Sequence, residues 1–261
     1  DKDRKSIFPA SMFKQMRHGN LKSLFMYKYD VLITDESLET LCKIGSLKYL
    51  YLNSLKFNVL NIPYNCRNNI SFFEITKREK DKSSSTVCFS WPEFFSTSST
   101  LYHLGLKVDI NCSKLQLERM KPFSSTSRLE ALYLHGRHYP TSPIPDFFFN
   151  GRSKQLQHVR IHNWWFNDTL REEVFSNASG VVSLVVSNAL LYGFIPPSVF
   201  DMPCLRIIDL SLNQLSGTLP NVTKKRMKKM RCMQLQGYKK KLHNANIHLE
   251  PFQTDAYFYI N

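Results

Sequence analysis

The chain has 261 residues, 43% of them apolar and 21% charged, a balance that belongs to folded proteins and excludes global disorder. Its formal net charge of +14 favours acidic partners such as nucleic acid, anionic lipid or an acidic glycan, without specifying a fold. No run of about 18 apolar residues occurs, so no membrane span is expected within the chain.

The first residues, "DKDRKSIFPAS", are charged and lack the apolar core of a signal peptide. From Leu21 onward a pattern sets in. "LKSLFMYKY" from Leu21 is followed by "LKYLYLNSL" from Leu47, "ISFFEITKR" from Ile70 and "LYHLGLKVD" from Leu101. Next come "LEALYLHGRH" from Leu129, "LQHVRIHNWW" from Leu156, "VVSLVVSNALLYGFIP" from Val181, "LRIIDLSLNQLSGTLP" from Leu205 and "MRCMQLQGY" from Met230. The starts are separated by 26, 23, 31, 28, 27, 25, 24 and 25 residues. The longest step contains "KREKDKSSSTVCFS" (77–90), polar and serine-rich, which reads as a protruding loop.

In each copy, positions one, four and six are apolar, as a short strand with alternate residues turned into a core requires. One such coil cannot bury its own stripe, so neighbouring coils must stack and share a core. Position nine is the place for an asparagine whose side chain satisfies turn backbone groups. Only Asn213 supplies it; the other copies carry Tyr29, Leu55, Arg78, Asp109, Arg137, Trp164, Ala189 and Tyr238. Irregular coils of modest stability are expected. Cysteines at 42, 66, 88 and 112 are 24, 22 and 24 residues apart, with two more at 204 and 232. No C-x-x-C occurs, so a zinc site is not indicated. Buried free thiols in successive coils are the favoured reading, with disulfides left open.

The pattern L-x-x-L-x-L-x-x-N-x-L resembles the leucine-rich repeat. It implies an α/β fold: a right-handed solenoid, or horseshoe, with a parallel sheet on the concave face and mostly irregular or short helical convex turns. Residues 1–236 form about nine degenerate repeats. Residues 237–261 form a basic and aromatic segment, either the start of a non-repeat island or a truncated repeat. "LYGFIPPSVFDMPCLRIIDLSLNQLSGTLP" (191–220) is similar to the plant extracellular type, with G-x-[IL]-P intact at Gly193–Pro196 and Gly217–Pro220. "NIP" (61–63) and "SPIP" (142–145) keep part of it. The resemblance is to the ectodomains of plant receptor-like proteins, whose paired-cysteine N-terminal cap is missing here. It implies a secreted ectodomain, a fragment or a degenerate relative, that lies outside the plasma membrane or in the wall. Five N-x-[ST] sequons, at Asn69, Asn111, Asn167, Asn177 and Asn221, agree with a secretory route.

In this architecture the exposed strand positions align in columns. Column five reads Phe25, Tyr51, Glu74, Gly105, Tyr133, Arg160, Val185, Asp209 and Gln234; column seven reads Tyr27, Asn53, Thr76, Lys107, His135, His162, Ser187, Ser211 and Gln236. Two candidate ligand-binding clusters emerge. Coils one and two give Phe25, Tyr27, Tyr49 and Tyr51. Coils five and six give Tyr133, His135, His158, Arg160 and His162, with Trp164 at the strand exit. Aromatic and arginine side chains dominate binding hot spots because they desolvate well and keep a polar handle.

His158 and His162, four apart on one strand, are about 13 Å from each other, too far for one metal ion. His135 and His162 instead fall at equivalent places on adjacent strands, which suits an acid sensor more than a metal site, with ordinary surface histidines as the favoured reading. No metal or cofactor is expected. "TKKRMKKMRCMQLQGYKKK" (223–241) holds nine Lys/Arg but also the ninth strand, so it reads as a solvated basic flank, open to an acidic-glycan contact, rather than a nucleic-acid site. No catalytic signature is present, so no enzyme is expected. The resemblance implies perception of an extracellular peptide, protein or glycan, with a co-receptor kinase as partner. The alternatives are a wall-localised inhibitor of the polygalacturonase-inhibiting type and the sensor region of an intracellular immune receptor.

Overall fold

In the computed structural model, the apolar side chains at coil positions one, four and six form one continuous core. The structure describes residues 6–7, 10–16, 19–27, 31–55, 59–61, 66–77, 86–88, 100–107, 109–111, 128–135, 138–139, 144, 155–176, 178–217, 232–234 and 257–259. From Leu47, Leu50 and Leu52 to Leu205, Ile208 and Leu210, every such residue in coils two to eight is buried. Leu21 and Leu24 of the first coil are only partly covered, while Phe13 of the helix Ala10–Met16 is buried there.

The strands make a single parallel sheet of ten, stacked in chain order. They are Ser23–Met26, Tyr49–Leu55, Phe72–Lys77, His103–Lys107, Ala131–His135, His158–His162, Ser183–Ser187, Ile207–Asp209, Cys232–Gln234 and Tyr257–Tyr259. The first nine fall on the nine sequence copies. The tenth lies in the segment 237–261, whose other residues are outside those described. Register holds residue for residue: Tyr51, Glu74, Gly105, Tyr133, Arg160, Val185 and Asp209 are successive Cα partners. One shift interrupts it, between Asn53 and Leu55.

Among the described residues, each of coils one to seven is tied to the next by the same backbone device. The carbonyl of position two accepts both the position-two and position-three N–H of the following coil. Lys48 O takes Ser71 N at 2.8 Å and Phe72 N at 3.0 Å, and the pattern repeats through Val182 O with Arg206 N and Ile207 N. These bonds satisfy backbone groups that would otherwise be buried without partners.

Beyond the strand, the chain turns and pairs again. Val59–Asn61, Thr86–Cys88, Asp109–Asn111 and His138–Tyr139 form a second parallel sheet in that order. The segment 77–90, expected as a loop, therefore contains a paired strand at Thr86–Cys88; its valine and threonine suit a pleated surface better than the serine run before it. Tyr192–Gly193 pairs with Gln214–Leu215 in the same way, extended by a bridge from Thr169 to Tyr192. Gly193 (φ 81°) and Gly217 (φ 88°) occupy the left-handed region that the G-x-[IL]-P turn demands. Phe194 lies so close over Gly217 that an added Cβ would collide with its ring.

Asn213 performs the work expected of position nine. Its Oδ1 accepts from Ala189 N (2.9 Å) and Leu191 N (3.2 Å); its Nδ2 donates to Val186 O (2.7 Å) and Leu210 O (2.9 Å). In the fifth coil a different device appears. Asp168 Oδ2 accepts from Ile144 N at 2.9 Å, and Arg171 donates to Ile144 O at 2.7 Å, so side chains of coil six hold the "SPIP" segment.

The convex returns carry short helices: Asp35–Cys42, Cys66–Asn69, Glu172–Ser176 and Pro197–Asp201. Thr34 caps the first by accepting from Ser37 N, with Asp35 and Glu36 complementing the helix dipole. Two of these helices overturn the free-thiol reading. Cys42 and Cys66 form a disulfide with Cα atoms 4.5 Å apart. Their separation of 24 residues is one coil, so they occupy equivalent places on adjacent returns and meet. Cys204 is free but exposed, not buried. Cys112 and the side chains of Cys88 and Cys232 lie outside the described residues.

Candidate functional site

Positions three, five and seven of each strand point away from the core, so side chains from consecutive coils stand about 4.8 Å apart in rows across the concave face. In coils one and two the structure brings together four of the predicted residues. Phe25, Tyr27 and Tyr49 are exposed at 51%, 53% and 38%, unusual for rings this large. Tyr51 lies 5.1 Å from Tyr27 and 6.3 Å from Phe25, and Asn53 Nδ2 donates to its hydroxyl at 3.0 Å.

The second predicted cluster is also assembled, with one correction. Arg160 is exposed and its guanidinium carbon sits 5.5 Å from the Tyr133 ring centroid, within cation–π range. His135 and His162 are Cα partners with ring centroids 4.8 Å apart, and His162 Nδ1 is 2.7 Å from Ser187 Oγ. His158 is half-buried on the same strand. Trp164, expected beside them as a ligand contact, is 1% exposed and belongs to the core. It occupies position nine, the inward slot that Asn213 fills two coils later, and its indole packs 6.3 Å from Phe166. An aromatic at an inward position is buried because the turn encloses it, whatever its capacity for recognition.

What the column reasoning missed is the bridge between the clusters. Phe72 and His103, both at position three, stack at 4.0 Å with an interplanar angle of 10°. Phe72 reaches back to Tyr49 at 6.5 Å, and His103 reaches forward to Tyr133 at 5.1 Å. Column three completes the same face as columns five and seven, so period two alone would have found them.

Beneath this bridge sits Glu74, 6% exposed. Its Oε2 accepts from His103 Nε2 at 3.2 Å and its Oε1 pairs with Lys107 Nζ at 2.8 Å. The carboxylate fits only because its neighbour in the column is Gly105; a Cβ there would lie 2.7 Å from Glu74 Cγ. Burial pushes the Glu74 carboxyl up, but hydrogen bonds and charge from His103 and Lys107 outweigh it and hold the group below its ordinary value. The result is a run of rings and cations in contact from coil two to coil six, beside the Phe25–Tyr27–Tyr51 group, with the buried Glu74 neutralised in place. Such a surface can stack flat ligand groups and pair with anions. Among the described residues no group of three or more potential ligands could hold a metal ion.

Of the sequons, Asn167 is exposed with φ 50°, and Asn69 is half-buried at the end of its helix. Asn177, Asn221 and the side chain of Asn111 lie outside the described residues, as does the basic segment 223–241 apart from the backbone of Cys232–Gln234. Among the described residues no helix is long and apolar enough to cross a membrane.

No protein-family model matches the sequence, and no curated protein matches it. Solved structures do match in fold. A leucine-rich-repeat protein of Leptospira interrogans superposes with a TM-score of 0.61 at 18% identity, over 87% of this chain and 51% of its own. The Arabidopsis receptor kinase HAESA, solved with the peptide hormone IDA and a co-receptor, gives 0.53 at 18% identity, over 84% of this chain and 38% of its own. A plant ice-binding protein gives 0.54 at 14% identity, over 85% and 73%. The chain thus spans about half the length of the bacterial protein and less of the receptor kinase. These likenesses carry the fold; a receptor kinase and an ice-binding protein share it, so the fold alone does not carry an activity.

Proposed function

We propose that this leucine-rich-repeat solenoid is a recognition module, binding an extracellular ligand along its concave face as part of a plant receptor-like protein that signals through partner kinases. One observation carries the reading: Tyr49, Phe72, His103, Tyr133 and Arg160 are each in ring or cation contact with the next strand's member, and Phe25 and Tyr27 pack against Tyr51 beside them. A scaffold that needed only solubility would put small polar or scattered charged residues there. The resemblance of its turns to the plant extracellular type and the Arabidopsis peptide-hormone receptor among its structural neighbours support the plant assignment. A disulfide between Cys42 and Cys66 supports an oxidising, secretory compartment over an intracellular sensor. The sequons point the same way.

The test uses arrays of synthetic peptides, wall oligosaccharides and soluble kinase ectodomains, probed with the native chain and with the Tyr133→Ala, Arg160→Ala, His162→Ala triple variant. All three side chains leave the core side of the sheet, so the melting temperature should stay within a few degrees. Loss of hot-spot contacts should weaken any array hit at least about tenfold, since each such residue contributes more than about 1 kcal/mol. Hits retained at full strength by the variant would remove the concave face from recognition. An unfolded variant would mean that the face is misassigned.

A further inference from the structure

Sharing only the secretory location with the reading above, we infer that Asn167 carries an N-linked oligosaccharide whose first sugars lie over the exposed rings of Tyr192 and Phe194. The sequon Asn167–Asp168–Thr169 sits in the turn that leaves the sixth strand, and Asn167 itself is exposed. Its φ of 50° lies in the left-handed region, which asparagine adopts readily. The two oxygens of Asp168 accept from Thr169 N at 2.7 Å and Ile144 N at 2.9 Å. The acid inside the sequon is thus turned to the backbone and not to the sugar.

The seventh coil places two large rings beside this asparagine. Asp168 O accepts from Tyr192 N at 3.0 Å, and Thr169 bridges to Tyr192, so the two coils are in contact one residue beyond Asn167. Leu191 and Ile195 are buried while Tyr192 and Phe194 are exposed, so both rings take the outward side, about 6.6 Å apart along the chain. Thr169 packs against the residue between them: a Cβ on Gly193 would lie 3.2 Å from its methyl group. Phe194 rests on Gly217 of coil eight and is otherwise open, at 70% the most exposed large apolar side chain among the described residues. Bare aromatic area of this kind invites association. The C–H face of a pyranose covers such a ring while its hydroxyls stay in water. A protein partner is the weaker occupant, because a bulky glycan so close to the rings would stand in its way.

The covalent step is a glycosyl transfer from an oligosaccharide held on a polyprenyl diphosphate. Asn167 Nδ2 bonds to the anomeric carbon of the first sugar, and the bond from that carbon to the diphosphate oxygen breaks. Nδ2 loses one proton, and the polyprenyl diphosphate leaves. The secretory pathway's transferase acts on the emerging chain, where the hydroxyl of Thr169 completes the acceptor sequence. Folding then brings the attached sugar against coil seven.

The experiment secretes the full chain from cultured plant cells behind an added signal peptide and maps glycopeptides at Asn167. Hydroxyl-radical footprinting of the folded protein follows, before and after enzymatic removal of the glycan. Asn167 should be occupied. Removal should raise labelling of Tyr192 and Phe194 severalfold and leave Phe25 and Tyr27, on the concave face, unchanged. Asn167→Gln should reproduce the raised labelling without the enzyme. A bare Asn167 overturns the inference. So does an occupied Asn167 with equal labelling of both rings in the two forms, which would leave the glycan free in solvent. A rise that extends to Phe25 and Tyr27 overturns the covering as well, because it reports general loosening. Concave-face recognition is read separately, from the triple variant on the arrays, and its failure leaves the glycan result standing.

Discussion

Leu212 sits at φ 59°, in the left-handed region that a leucine adopts only under strain. It holds position eight of its coil, and the two preceding coils place Asn163 (φ 59°) and Asn188 (φ 50°) there. Asparagine tolerates this conformation, and the Asn188 amide donates to the Asn163 side-chain oxygen to make a small ladder. Leu212→Asn should therefore raise stability by about 1 kcal/mol, since the backbone strain it relieves is of the order of 1–2 kcal/mol. Urea denaturation measures it; an unchanged or lower midpoint would show that the exposed leucine is compensated by contacts. Glu74 gives a second residue-scale outcome. With its folded value below the ordinary one, ionised Glu74 stabilises the fold above the unfolded glutamate value of about 4.3, and that contribution disappears as pH falls through the lower folded value. Glu74→Gln should lower stability near neutrality and flatten its decline in acid, as followed by urea midpoints between about pH 3 and 7. An equally steep acid decline would sink the account. Asn213 was readable from sequence because its position and chemistry name its task. Trp164 was not: nothing in the residue type says whether position nine faces inward in a coil without asparagine.

At the scale of the element, the helices Asp35–Cys42 and Cys66–Asn69 are joined by a covalent bond where the strands are joined only by hydrogen bonds. Closing a loop of 24 residues removes chain entropy from the unfolded state worth about 3 kcal/mol. Reduction, or replacement of both cysteines by serine, should lower stability by roughly that amount, with the loss concentrated in coils one and two. Hydrogen exchange of the Tyr49–Leu55 strand against the Ser183–Ser187 strand reads the localisation. Uniform loosening along the sheet would mean that the coils unfold as one unit. The even cysteine spacing held the clue, but spacing gives only the period. Whether two thiols meet depends on where on the coil they sit, and that requires the helices. The second sheet shows the same limit. Its glycine turns were legible at Gly193 and Gly217, whereas Thr86–Cys88 was hidden behind a serine-rich run that masks a three-residue strand.

For the whole molecule, the register of nine strands was legible because period and periodicity agree across many weak copies, and consistency among copies outweighs the poverty of each. The grouping of the two candidate clusters was legible for the same reason, since a correct register fixes which residues share a row. Their union through Phe72 and His103 was not seen, because columns five and seven were read in full and column three only at Tyr49 and His158. The doubled backbone bonds that link each position-two carbonyl to the next coil depend on no side chain. Adjacency is thus written in the main chain and the core positions alone. Apart from Glu74 and Gly105, the outward positions can drift at little cost to the scaffold, so one lineage of such chains can exchange most of its partners while remaining the same object to fold.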